Sequence, residues 1–172
     1  MKTLLTILGL SALIASAADQ PSPIANVKPE PPGWAFGSKE VIIESYYTAR
    51  FSGSFNDADQ GIGFGVGYAL NDNIVASVNG VSYLDSVQGV NEILGRISYR
   101  APLKFLSVKL APYAFTYGGG NLQTGIGFAG AGGGIEWRPI WKQLGVFGEA
   151  DLRIDTEWES SVGISTGVRL NF

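Results

Sequence analysis

Residues 145–153 read Gly-Val-Phe-Gly-Glu-Ala-Asp-Leu-Arg and carry the densest chemistry in the chain. Glu149, Asp151 and Asp155 could in principle act as general acids or bases. Their even spacing puts them in a row down one wall of a strand, with Arg153 among them. Arg169 stands on the same kind of face in the last segment. Opposite charges in a narrow, partly dry space must pair, because an unpaired one there is costly. Glu149, Asp151, Arg153 and Arg169 are therefore expected to form an internal ion-pair network, in preference to a catalytic carboxylate pair. With Trp158 taken as the centre of the final hairpin, Arg169 falls opposite Phe147 and diagonal to Glu149. That diagonal is about 7–8 Å at the backbone, within reach of a long side chain.

Other chemistries are harder to support. The 172 residues include no histidine and no cysteine, so a Ser-His pair is impossible and no disulfide can staple the fold. Gly125-Ile-Gly127-Phe-Ala-Gly130 matches a dinucleotide-binding pattern, with Glu149 about 20 residues further on. That pattern must open a helix, and Gly130, Gly132, Gly133, Gly134 and Pro139 forbid a stable one. Strand glycines facing a crowded interior are the better reading. Asp57, Asp59, Glu157 and Glu159 fall in polar loops. They could hold divalent cations bridging lipopolysaccharide, but solvated loop charge is the ordinary explanation. Net charge is −3 and the basic residues are scattered singly, so no nucleic-acid surface is expected. No cofactor or metal site is expected.

The segments that must position these residues are strands. Gly61 to Leu70 alternates Ile62, Phe64, Val66, Tyr68 and Leu70 against four glycines and Ala69. Val162 to Phe172 alternates as cleanly, with Thr166 the one weak member of its apolar face. From Val146 to Asp155 the apolar face is Val146, Gly148, Ala150, Leu152 and Ile154. Glu40 to Phe51 sets Val41, Ile43, Tyr47 and Phe51 against Glu44, Thr48 and Arg50. Glu92 to Ala101 sets Ile93, Ile97 and Tyr99 against Arg96, Ser98 and Arg100. Leu106 to Thr116 sets Val108 and Leu110 against Ser107 and Lys109. Ile74 to Leu84 and Gly125 to Arg138 have ambiguous phase, which a β-bulge in either would explain. The spacing thus predicts eight strands and no helix beyond the leader.

The leader, residues 1–17, reads as a signal peptide: Lys2, an apolar run from Leu4 to Ile14, and Ala15-Ser16-Ala17 for cleavage. Residues 18–38, with five prolines, read as an extended linker in the periplasm. Trp34 and Phe36 there could dock at a membrane surface or be chance aromatics. Residues 39–172 form the barrel. Tight connections at Asn71–Asn73, at Pro102 and at residues 138–143 alternate with longer loops at 52–60, 85–91, 118–124 and 156–160. An up-and-down transmembrane β-barrel with one rim in the periplasm needs this alternation.

Two features orient the faces. Tyr68, Tyr99, Trp137 and Phe172 all fall near the ends of even-numbered strands, at one rim. An aromatic girdle at a water–lipid boundary accounts for that spacing. The face opposite the apolar one is rich in glycine, as a narrow lumen requires. The ending Gly-Val-Arg-Leu-Asn-Phe, the alternating run 145–153 and the leader resemble the small bacterial outer-membrane barrels. These include the transmembrane domain of outer-membrane protein A, outer-membrane protein X and the opacity proteins. The resemblance implies a Gram-negative outer-membrane location and contact with lipid and lipopolysaccharide. It also implies that Phe172 belongs to the signal read by the barrel-assembly machinery. The function expected is structural or surface interaction, around a narrow, plugged lumen. A small porin-like channel is the alternative. A lipid-modifying barrel enzyme is disfavoured, because the chemistries of such barrels use histidine. Oligomeric state is left open.

Overall fold

The computed structural model describes residues 39–52, 58–84, 90–101, 110–138 and 143–172. The leader, the linker with Trp34 and Phe36, Asp57, and the turns at Pro102 and Pro139 lie outside the described residues. Eight strands run β1 (Val41–Ser52), β2 (Ala58–Ala69), β3 (Ile74–Tyr83), β4 (Glu92–Arg100), β5 (Leu110–Asn121), β6 (Gly127–Trp137), β7 (Leu144–Asp155) and β8 (Ser160–Asn171). Each pairs antiparallel with the next, and β8 pairs with β1 to close an up-and-down barrel. Closure leaves no unpaired sheet edge, which is the condition for a sheet to be stable in lipid.

The outer wall is apolar and the inside is charged. Val66, Val78, Ile97 and Leu152 point outward and are 59–67% exposed, whereas Glu136 and Arg138 are fully buried. A barrel folded for water would place them the other way round.

Two expectations about the strands need correction. No bulge interrupts β3 or β6, whose pairings run without a break on both sides. Their phase is obscure in the sequence because both faces mix apolar and small residues. In β3 the inward Val75 and Val81 face away from the outward Ile74 and Val78. The fifth strand also runs on to Asn121, where a loop from Gly118 was expected. Gly119 pairs with Leu94 in the ladder, where a Cβ would lie 2.2 Å from the Ile93 carbonyl oxygen, so only glycine fits.

Side-chain caps close the described turns. The Asn71 carboxamide oxygen accepts the N–H of Asn73 and Ile74, and that of Asn121 accepts the N–H of Gln123 and Thr124. Asp155 takes the N–H of Glu157 and Glu159, and Trp158 sits at φ 68°. Thr156-Glu157-Trp158 is therefore a three-residue hairpin loop whose last residue occupies the left-handed position.

Candidate functional site: a lumen closed by paired charges

Glycine and aromatic residues make the space for the lumen. On β5, Tyr113, Phe115 and Tyr117 stand directly opposite Gly134, Gly132 and Gly130 of β6. A Cβ at any of those glycines would lie 2.7 Å or less from the ring facing it. The rings lie across the glycines and pave one wall, and the arginines stack on that paving.

The charges fall in three tiers. Nearest the short-turn rim, three arginines converge on Glu136. Arg138 Nε donates to it at 2.9 Å, Arg169 Nη1 at 3.1 Å, and Arg100 lies at 3.3 Å. Arg138 also donates to Asn171 Oδ1 at 2.9 Å and to Glu40 at 3.4 Å. In the middle tier Arg169 Nε donates to Glu44 at 2.7 Å, and its guanidinium lies over the Phe147 and Tyr113 rings. Beside it Arg96 grips Glu149 in a two-pronged pair at 3.0 and 2.8 Å, with its guanidinium 3.7 Å from the Phe115 ring centre. Tyr113 donates to the same carboxylate at 2.8 Å. In the outer tier Arg50 pairs with Asp151, which Tyr117 also bonds, and Arg153 pairs with Glu92 at 2.8 Å.

The four charges singled out in the sequence thus all project into the lumen, but most of their partners lie on other strands: Arg96 and Glu92 on β4 across the barrel, and Arg50 and Glu44 on β1 beside β8. Glu149 pairs with Arg96, Asp151 with Arg50, and Arg153 with Glu92. Arg169 divides itself between Glu44 and Glu136, and lies 3.8 Å from Glu149. The expected register is off by two residues, which keeps the faces but changes the neighbours. Arg169 faces Gly145, and Phe147 faces Gly167. Loss of Glu149 would therefore strand Arg96, not Arg169. The alternation of β1 and β4 already puts Glu44, Arg50, Arg96 and Arg100 on the polar face. Nothing in the sequence singles out Glu136 and Arg138, because the glycines before them hide the phase of β6.

Each of the lumen carboxylates Glu44, Glu92, Glu136, Glu149 and Asp151 is held by at least one arginine, so none is placed to work as a free acid or base. Among the described residues the lumen holds small cavities, one of about 30 and one of about 10 Å³, and Arg96 lines both. Among the described residues no group of three acidic, histidine or cysteine side chains could hold a metal ion. Asp59, Glu157 and Glu159 are exposed at the outer rim. The glycine pattern at 125–130 opens a strand: Gly127 faces outward and Gly130 inward, beneath Tyr117.

Tyr68, Tyr99, Trp137 and Phe172 project outward at the short-turn rim. Tyr68 pairs with Val41, Tyr99 with Ile74, and Trp137 with Val146, while Phe172 exchanges two backbone hydrogen bonds with Val41.

No protein-family model and no curated protein matches the sequence. Solved structures do. The N-terminal β-barrel domain of Pseudomonas aeruginosa OprF is 20% identical, with a TM-score of 0.61 over 79% of this chain and 99% of that one. A chain from a de novo design of transmembrane β-barrels is 19% identical, with a TM-score of 0.52 over 83% of this chain and 98% of that one. The outer membrane protein OprG from Pseudomonas aeruginosa is 10% identical, with a TM-score of 0.40 over 80% of this chain and 97% of that one.

Proposed function

We propose that this chain, whose fold is that of the small outer-membrane barrels, resides in a bacterial outer membrane. Its role there is structural or surface-interacting, it is not an enzyme, and its own lumen charges close it to ions. One observation carries the reading: the barrel is closed, apolar on its outside, and charged but internally paired on its inside. The outer wall asks for lipid and lipopolysaccharide as neighbours. The inner wall does not call for an ion, because its arginines and carboxylates pair with one another.

The mature protein is expected to fractionate with outer membranes and to migrate differently on a gel before and after heating. In planar bilayers it should carry little or no current. Arg96 lines both cavities, so Arg96→Ala should widen them and raise conductance. Recovery of the native protein as a soluble periplasmic species would overturn the location. Steady, large single-channel currents from the wild type would overturn the closure and favour a small porin-like channel.

Phe172 serves, in the same reading, as the terminal aromatic presented to the barrel-assembly machinery. It follows β8 directly and lies on the apolar face. Deletion of Phe172 is expected to leave export intact while slowing or abolishing insertion, read as the yield of heat-modifiable barrel in the membrane. Normal yield would remove that role.

A further inference from the structure

We infer that three hydroxyls at mid-depth on the outer wall, those of Ser45, Tyr47 and Thr166, form the contact surface for a second copy of this chain. The inference rests on the membrane location proposed above and goes beyond the role given there.

The patch occupies neighbouring rungs of the ladder where β8 closes onto β1. Tyr47 stands directly opposite Thr166, and Ser45 directly opposite Val168. All three side chains lie on the outward face: Tyr47 is 42% exposed, Thr166 is exposed and Ser45 is half-buried. Tyr47 is six residues along β1 from Val41, which sits at the aromatic rim against Tyr68 and Phe172. At about 3.4 Å per residue and a strand tilt of roughly 40°, that is about 15 Å into an apolar band about 25 Å tall. Ala49 and Phe51 carry the outward face of β1 on beyond it. The phenol is too deep to bring its tip to either interface.

Hydrocarbon offers a hydroxyl nothing to bond. Neither Ser45 nor Tyr47 finds a side-chain hydrogen-bond partner among the described residues. The Thr166 hydroxyl donates to the Phe147 carbonyl at 3.0 Å, and its oxygen is left able to accept. The wall thus presents two unused donors and three acceptors where lipid supplies neither.

This chemistry names the occupant. A hydroxyl both donates and accepts, so the patch is complementary to itself. A two-fold interface brings one patch from each of two identical chains together, and it is the commonest arrangement of such chains. Hydrogen bonds and close packing at small side chains drive association inside a bilayer. Ser45 and Ala49 flank Tyr47 on the outward face of β1, so the ring stands clear of its strand neighbours and can reach a partner. The outward faces of β1 and β8 carry no charge that would repel a copy.

Thr116 supplies the control. It points outward from β5, four strands away, and at six residues from Leu110 at the rim it lies at the same depth. The chain has no cysteine, so single cysteines report cleanly. In outer membranes carrying the mature protein, a short lipid-soluble bismaleimide should join Ser45→Cys into a dimer and leave Thr116→Cys monomeric. In density-matched detergent micelles, sedimentation equilibrium should show the wild type dimerising. Tyr47→Phe, which removes one oxygen, should raise the dissociation constant about tenfold, because a two-fold contact loses that hydroxyl twice. Val168, beside the patch, is open to lipid-phase probes in the dilute monomer and should become shielded as the dimer forms. Heat-modifiable migration of the same samples reports insertion separately. An inserted barrel that stays monomeric, with no cross-link at Ser45, would overturn the interface and leave the location standing. Equal cross-linking at Ser45 and Thr116 would mean random collision and overturn the patch. An unchanged dissociation constant for Tyr47→Phe would overturn the hydrogen-bonded contact. A protein found soluble in the periplasm would overturn the location, and this inference with it.

Discussion

Glu136→Gln is expected to lower the unfolding free energy of the refolded barrel by about 3–5 kcal/mol, the loss typical when one partner of a buried ion pair is removed. The side chain is fully buried and takes contacts from Arg100, Arg138 and Arg169 together. Glutamine keeps the shape and removes the charge. The three guanidinium groups then lose the carboxylate they share, with Glu44 and, at 3.8 Å, Glu149 left beside Arg169 and the partly exposed Glu40 beside Arg138. Arg169→Ala should cost less than Glu136→Gln: it strands Glu44, while Glu136 keeps two arginines. Urea unfolding in lipid vesicles, followed by tryptophan fluorescence, measures both. A loss below about 1 kcal/mol for Glu136→Gln would show that water or rearranged neighbours compensate the tier, contrary to the buried pairing.

Ile164→Arg is expected to destabilise the barrel by about 2–4 kcal/mol, the range for a cation on the lipid face near the bilayer midplane. Ile164 points outward from β8, half exposed, between Ala49 and Ala150 of its neighbours. It has no inward route to the lumen charges, since a one-residue turn of the strand would invert every side chain on it. Glu159→Arg, at the exposed outer loop, should leave stability unchanged. Cysteines placed at Ile164 and Val168 should react with lipid-phase probes, and one at Ser165 should not. Labelling of Ser165 with protection of the other two would reverse the faces.

Much of this architecture was legible in the chain because a strand's side-chain period is two whatever its neighbours do. The alternation from Ile62 to Leu70 and from Val162 to Phe172 names the outward residues directly, and the lumen face of β1 and β4 can be read the same way. The aromatics at strand ends mark one rim. Alternation cannot be read where both faces carry small residues. In β3 and β6 the period is present in the backbone but silent in the side chains, so Glu136 and Arg138 were hidden and a bulge was expected that does not exist.

By itself, then, the sequence determined a run of strands each with an apolar and a polar face, since strand period is a local consequence of residue order, and the aromatic rim and the glycine-rich face oriented them; that β8 meets β1 was seen only in the fold. Which charge meets which was decided only by tertiary structure. Arg50 finds Asp151 across 101 residues of chain, and Arg169 finds Glu44 across 125. Such pairs depend on register and on the stagger of the whole barrel, neither of which is written in any one segment. The final hairpin shows the sensitivity. The Asp155 carboxylate caps a loop in which Trp158 is the last residue and not the centre. That single choice of turn carries Arg169 away from Phe147 to face Gly145, while the closing ladder between β8 and β1 sets it directly opposite Glu44.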